Sequence, residues 1–158
     1  MKKLEIFFDY NCPYCFKGHN NLLGILPDNP NLEIVWQPCE IYERPKNYSG
    51  MYHTDLCIQA MFFAVDIGLD ILKFNEKMYN IIFNERVNVE NADNLADALA
   101  DILDAAQLKQ ALKTGKYAAQ LKQANNYAFK VKGVQIVPSY SADGGKLQDR
   151  QEFFGLPY

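Results

Sequence analysis

The sequence predicts an α/β fold in which a βαβ unit is followed by a block of helices and then by an αββ unit. Three observations carry that prediction. A bulky strand pattern at residues 4–8 runs into a helical pattern and returns through an alternating strand at residues 32–37. From His53 to Lys132 the apolar residues repeat only with helical period. After Gly133 the period reverts to that of strands, with a hairpin turn at Asp143-Gly144-Gly145. The helical block thus interrupts a small α/β domain. The expected division is residues 1–48 with 130–158 for that domain, and 49–129 for an inserted helical domain.

A chain of 158 residues that is 49 % hydrophobic and 13 % aromatic is globular and long enough to bury a core. The formal net charge is -3 and no long basic run occurs, which argues against nucleic acid as a partner. No apolar stretch approaches the roughly 20 residues that cross a bilayer. The opening Met1-Lys2-Lys3 superficially resembles the start of a signal peptide, but Glu5 interrupts the apolar run and Asp9 ends it, with no small-residue cleavage site behind. A cytoplasmic location is therefore expected. In that reducing compartment Cys12, Cys15, Cys39 and Cys57 are too few and too unevenly spaced for a disulfide framework.

Taken in order, Leu4 to Phe8 reads as a buried strand and Asp9-Tyr10-Asn11 as a turn. Cys12 falls where a helix begins, with Pro13 at the first helical position, where a missing N–H costs nothing. That helix is predicted to reach about Leu26, with Phe16, Leu22, Leu23 and Leu26 inward, before Pro27-Asp28-Asn29-Pro30 stops it. Residues 32–37 form the second strand, and a polar loop spans 43–51. Residues 54–67 are apolar on nearly every side, as in a helix buried between neighbours. Asp70 caps the next helix, whose face is Ile71, Phe74, Met78, Ile81 and Ile82. A helix is predicted over 92–103, Asp104 begins a shorter one, and Thr114 caps a last one that Gly133 ends. Residues 134–140 form a strand containing Pro138, and 147–153 pair back antiparallel.

The chemistry concentrates in Cys12-Pro13-Tyr14-Cys15. Such a pair is either a redox-active dithiol or half of a metal site. At a helix N-terminus, unpaired N–H donors and the positive end of the helix dipole both favour the thiolate at Cys12. Cys15, one turn deeper, can attack a mixed disulfide formed at Cys12. Pro13 and Tyr14 then tune the redox poise. A structural zinc site needs two further ligands, and His19, His53, Cys39 and Cys57 do not supply matching spacing. Redox chemistry is the reading that fits.

Further along, Val137-Pro138 lies inside a strand pattern, which marks either a sheet edge or a cis bond. Together, Phe8-Asp9-Tyr10-Asn11-Cys12-Pro13-Tyr14-Cys15-Phe16, Val35-Trp36-Gln37-Pro38, the helical block and the stretch from Gly133 to Tyr140 resemble the DsbA-like oxidoreductases of thioredoxin fold, particularly a cytoplasmic branch that includes FrnE-like proteins and relatives of 2-hydroxychromene-2-carboxylate isomerase. The resemblance covers nearly the whole chain. It implies a thioredoxin-like fold with Cys12 as nucleophile, Cys15 as resolving thiol and Pro138 as a cis-proline. It further implies that Val137 pairs in strand-like fashion with a protein or peptide disulfide substrate. No resident cofactor or metal is implied. The Cys-Pro-Tyr-Cys motif is also typical of glutaredoxins, which brings in glutathione as a co-substrate. Two departures stand out. The buried acid that periplasmic relatives carry on the first strand aligns with Ile6, beside Glu5, and the final covering helix of the family is not apparent before Tyr158. An uncovered sheet face would suit a homodimer.

Two other functions stay open on the sequence. A glutathione-dependent isomerase or transferase on this fold typically has serine for the first cysteine. A redox-gated binding module would hold metal through Cys12 and Cys15. Among lesser residues, Cys39 and Cys57 are expected as buried apolar groups and His19 in a surface or capping role. His53 is expected in the loop entering the insertion, along the groove, and Asp9 only in the turn. Tyr48, Tyr52, Phe62, Phe63, Met51 and Met61 are expected in the core. Asp93, Asp97, Asp101 and Asp104 are expected on a solvated helix face.

Overall fold

The structure is a computed structural model that describes residues 1–46 and 52–150. It divides into two compact units, one of residues 1–41 and 124–158, the other of residues 42–123.

The first unit is built on a four-stranded sheet of order β2-β1-β3-β4. Its strands are β1 (Lys3–Phe8), β2 (Glu33–Pro38), β3 (Ser139–Ala142) and β4 (Gln148–Asp149). The βαβ order dictates the parallel β1–β2 pair, in register from Lys3 opposite Glu33 to Phe8 opposite Pro38. β3 runs antiparallel to β1, with Phe7 opposite Ser139, and β4 returns antiparallel to β3. Asp143 and Gly144 at positive φ make the hairpin turn, closed by the Gly145 N–H on the Ala142 carbonyl at 2.9 Å. A parallel strand reached through a helix and a hairpin at the far edge form a thioredoxin-like fold of mixed α/β content.

Three expectations in this unit need correction. α1 (Pro13–Ile25) turns Cys15, Gly18, His19 and Leu22 inward, not Phe16, Leu23 and Leu26, which are half-buried. That face repeats at i, i+3, i+4 and i+7 from Cys15, so the helix is oriented by its thiol and not by its bulkiest side chains. The strand predicted over 134–140 begins only at Ser139. Pro138 has no N–H to give a ladder, so pairing starts just after it. Of the strand predicted over 147–153, Gln148–Asp149 pairs; residues 151–153, and the stretch before Tyr158 on which the expectation of a missing covering helix rests, lie outside the described residues.

The second unit contains α2 (Asp55–Asp66), α3 (Ile71–Tyr79), α4 (Ala92–Ala98), α5 (Ala105–Lys113) and most of α6 (Ala118–Asn126). α2 buries every residue from Cys57 to Ala64, while Val65 is exposed. Asp70 and Asp104 cap their helices as expected, accepting the N–H groups of Leu72 and Gln107 at 3.0 Å. α4 ends at Ala98, short of Leu103. Thr114 closes α5 rather than opening α6, its hydroxyl donating to the Gln110 carbonyl at 2.8 Å. A threonine hydroxyl can satisfy either helix end, so its residue type did not decide between them. Asp93, Asp97 and Asp101 hold Lys113, Lys109 and Lys77 on the surface. Met61, Phe62 and Phe63 are buried, Tyr52 is half-buried, and Tyr48 and Met51 lie outside the described residues.

Candidate active site

The sheet register builds the site. Cys12 emerges one short turn beyond Phe8, the last residue of β1. Because Phe7 faces Ser139, the segment just before β3 must arrive at that same end of β1. Val137-Pro138 is that segment, its peptide bond is cis, and the Val137 carbonyl lies 3.7 Å from the Cys12 sulfur. The two stretches singled out in the sequence thus meet. Beneath the turn, Tyr10 meets the Phe8 ring edge-on at 5.3 Å, and Trp36 of β2 meets Phe8 at 5.8 Å.

Cys12 is the N-cap of α1, in extended conformation, and its carbonyl accepts the N–H groups of Cys15 and Phe16. The residue is only 9 % exposed, and its thiol is lowered from the ordinary 9.0 to about 7. The hydrogen bond from the Cys15 thiol contributes most to that fall, and burial opposes it. The N–H groups of Cys15 and Tyr14 and the charge of Arg150 add to it. Cys15 has the opposite fate. Burial pushes its thiol well above 9.0, and the hydrogen bond it gives to Cys12, the Cys12 charge and the Asp9 carboxylate push it further. All four cysteines are free thiols. Pro13 and Tyr14 are exposed at the rim, Tyr14 by 41 %.

Three features of the site escaped the sequence. Asp9, expected only in the turn, is a fully buried carboxylate that accepts the Tyr10 and Ile41 N–H groups at 2.7 and 2.9 Å. Its own N–H donates to the Cys15 sulfur at 3.5 Å. Its charge raises both Cys15 and Cys39, so Asp9 is the buried acid next to the dithiol. Glu5 stays on β1, bound by Tyr127, Gln37 and Lys132. His19, expected at the surface, is buried one turn below Cys15; the four-residue spacing from Cys15 was the signal that placed it there. Arg150, beyond β4, stacks on Tyr14 with its guanidinium carbon 3.7 Å from the ring centroid and donates to the Val137 carbonyl at 3.4 Å. Nothing local in the sequence marks it, since only hairpin closure brings it there.

Cys39 and Cys57 are fully buried, as expected. Cys39 follows β2, where burial first, then the charges of Asp9, Glu40 and Cys12, raise its thiol well above 9.0. His53 lies in the second unit, its ring nitrogens on the Glu90 carboxylate at 2.8 Å and the Lys46 carbonyl at 2.7 Å. Among the described residues no group of three His, Cys, Asp or Glu side chains is placed to hold a metal ion, and no helix is long and apolar enough to cross a membrane.

A mixed sheet that delivers a dithiol to a helix N-terminus and faces it with a valine–proline turn defines a thioredoxin-like domain. The chain belongs to the DSBA-like thioredoxin domain family, whose profile matches residues 3–157. Among solved structures it is similar to the cytosolic disulfide reductase DsbM from Pseudomonas aeruginosa, at 12 % identity and TM-score 0.74 over 98 % of this chain and 93 % of that one. It is also similar to a probable DsbA oxidoreductase from Streptomyces coelicolor, at 16 % identity and TM-score 0.74 over 93 % and 82 %. A third is MdbA, a thiol-disulfide oxidoreductase from Actinomyces oris, at 20 % identity and TM-score 0.67 over 96 % and 74 %. At such identities the likeness is one of fold. No curated protein matches the chain.

Proposed function

We propose that this protein is a cytoplasmic thiol–disulfide oxidoreductase that exchanges electrons with protein or small-molecule disulfides. The observation that carries this reading is the opposed behaviour of the two thiols: Cys12, at the helix N-terminus, lowered to about 7, and Cys15, fully buried one turn deeper, raised. A nucleophile that is half thiolate near neutral pH and a partner held protonated until needed is the division that disulfide exchange requires. The Cys12 thiolate attacks one sulfur of the substrate disulfide, the S–S bond breaks, and one thiolate leaves. Cys15 then attacks the Cys12 sulfur of the mixed disulfide and expels the second thiolate. The substrate gains two electrons, the Cys12–Cys15 disulfide forms, and both dithiol protons end on the released thiols.

Pro13 and Tyr14 line the approach, and Val137 with Pro138 forms the facing edge on which an extended peptide can add as a strand. No resident cofactor is required; glutathione is the proposed reductant. The cytoplasmic assignment is supported by the chain's own composition and by likeness to a protein named as a cytosolic disulfide reductase.

The test is equilibration in glutathione buffers of graded poise, with thiol trapping read by mass and Cys12→Ser as control. A reversible two-electron transition lost in that variant is expected. Its midpoint distinguishes a reductant near roughly -270 mV from an oxidant or isomerase nearer -120 to -180 mV. If no intramolecular disulfide forms at any poise, the reading fails, and metal content and glutathione conjugation become the questions.

A further inference from the structure

Arg150 touches one residue from each of the two stretches that meet at Cys12. Its guanidinium lies 3.7 Å from the Tyr14 ring centroid, and its Nη1 donates to the Val137 carbonyl at 3.4 Å. Lys17 places a second cation 5.9 Å from the same ring. Among the described residues neither makes an ion pair, whereas Arg44, Lys77, Lys109 and Lys113 each sit on a carboxylate. The Arg150 Nε is buried with no hydrogen-bond partner in that set. The Arg150 charge already favours the Cys12 thiolate, so two cations with no carboxylate in ion-pair reach among the described residues make the Tyr14 side of Cys12 a place that suits an anion.

A guanidinium stacked on an aromatic face keeps its N–H edge free in the plane, the geometry that grips a carboxylate in two-point fashion. A charge-assisted bond to a carboxylate is shorter and stronger than the long bond to the Val137 carbonyl, so an arriving anion can draw the guanidinium away from it. That carbonyl is also the acceptor a peptide strand would use, and Arg150 occupies it until such an anion arrives.

We propose that Arg150, assisted by Lys17, makes the Cys12 site selective for small disulfides that carry a carboxylate close to the sulfur. The inference rests on the thiol–disulfide reading and names its substrate class. Arg150 takes no part in the bonds made and broken. The Cys12 thiolate attacks the nearer sulfur of the anionic disulfide, that S–S bond breaks, and a carboxylate-bearing thiolate leaves. Cys15 releases the second, and the two electrons pass from dithiol to substrate as before.

The experiment compares dithiodipropionate, hydroxyethyl disulfide and cystamine, which are anionic, neutral and cationic, as oxidants of the reduced protein at low ionic strength. Rates are divided by those of a free thiol, and the anionic-to-neutral ratio cancels any change in the Cys12 thiolate fraction. The ratio is expected to exceed that of the free thiol, to fall about tenfold in Arg150→Gln, to invert towards cystamine in Arg150→Glu, and to fall less in Lys17→Glu. In the unaltered protein, added salt should depress only the anionic rate. A ratio equal to that of the free thiol in the unaltered protein, with all three disulfides reacting, overturns the selectivity and leaves the redox reading intact. No Cys12 mixed disulfide with any of the three overturns both.

Discussion

The Cys12 sulfur sits 3.7 Å from the carbonyl oxygen of Val137, 125 residues away in sequence. That carbonyl can accept a proton from the thiol but only repels the thiolate. The thiol is nevertheless lowered to about 7, because the Cys15 donor, with the Cys15 and Tyr14 amides and the Arg150 charge, outweighs burial. Ionisation of Cys12 removes the proton that its hydrogen bond to Val137 needs. In the proposed reaction, the step that arms Cys12 thus removes one donor from that carbonyl, Arg150 being another, along the edge where a substrate would pair.

Alkylation of the reduced protein with iodoacetamide should accordingly modify Cys12 with a midpoint near pH 7, while Cys15 stays unmodified well beyond it. In Cys15→Ala the midpoint should move upward, since the Cys15 hydrogen bond contributes most to the lowering. Peptide mass mapping across a pH series reads both. A Cys12 midpoint at the ordinary thiol value of 9.0, unmoved by the substitution, would sink the account of its activation.

Stability of the reduced protein should depend on pH in two opposed ways. Cys12 is depressed in the folded state, so its contribution is present above the unfolded value near 9.0 and is lost as pH falls through about 7. Stability should therefore rise between those limits, by ~3 kcal/mol for a shift of about two units. Cys15 and Cys39 are raised, so above 9.0 the unfolded chain ionises where the folded one does not, and stability should fall again. Urea midpoints of the reduced protein and of Cys12→Ser, measured from pH 6 to 10, separate the two limbs. The rising limb should vanish in the variant.

The parts of the site that the sequence displayed are those whose chemistry is local. A cysteine pair with a proline between its members announces a helix N-terminus, because the same residues supply the cap, the first turn and the thiols. The meeting of Cys12 with Val137 was readable only through resemblance, since it depends on β3 registering against β1. Asp9 was visible as a turn residue, yet its burial is set by the Ile41 N–H that arrives from the far side of β2. Arg150 is silent in the sequence because an arginine after a short strand has no period to betray it. Thr114 and residues 99–103 misled for another reason: capping residue types and leucine repeats hold for more than one helix boundary.

Tyr127 offers a spectroscopic check on the polar cluster that flanks β1. Its hydroxyl donates to the Glu5 carboxylate at 2.8 Å, and burial together with that carboxylate raises it to about 12. Glu5 also accepts from Gln37 at 2.9 Å, while Lys132 lies 3.6 Å away. In Glu5→Gln the Tyr127 hydroxyl should titrate at lower pH, followed by tyrosinate absorbance in difference against the parent. Glu5→Leu, which leaves both the hydroxyl and the Gln37 amide without their acceptor, should cost about 1–3 kcal/mol in urea denaturation. An unchanged tyrosine titration in Glu5→Gln would remove Glu5 as a cause.

Two glycines with equally open surroundings should respond to alanine with opposite sign. Neither Gly24 nor Gly133 has any atom within 4 Å of where a Cβ would stand, so packing cannot decide the outcome. Gly24 lies in α1 without a positive φ, and alanine there should stabilise by about 0.5–1 kcal/mol through helix propensity and a less flexible unfolded chain. Gly133 has φ +71°, and after it the Val134 N–H turns back to the Ala128 carbonyl at 2.9 Å. A side chain there is strained however much room it has, so Gly133→Ala should destabilise by about 1 kcal/mol, and Gly133→Asn by less. Gly133 also opens the segment that ends at Val137. If Gly133→Ala additionally shifts the alkylation midpoint of Cys12 while Gly24→Ala does not, the backbone entering that segment helps set the distance between Val137 and the nucleophile. Equal stability changes of the same sign in the two variants would mean that backbone conformation does not govern either position.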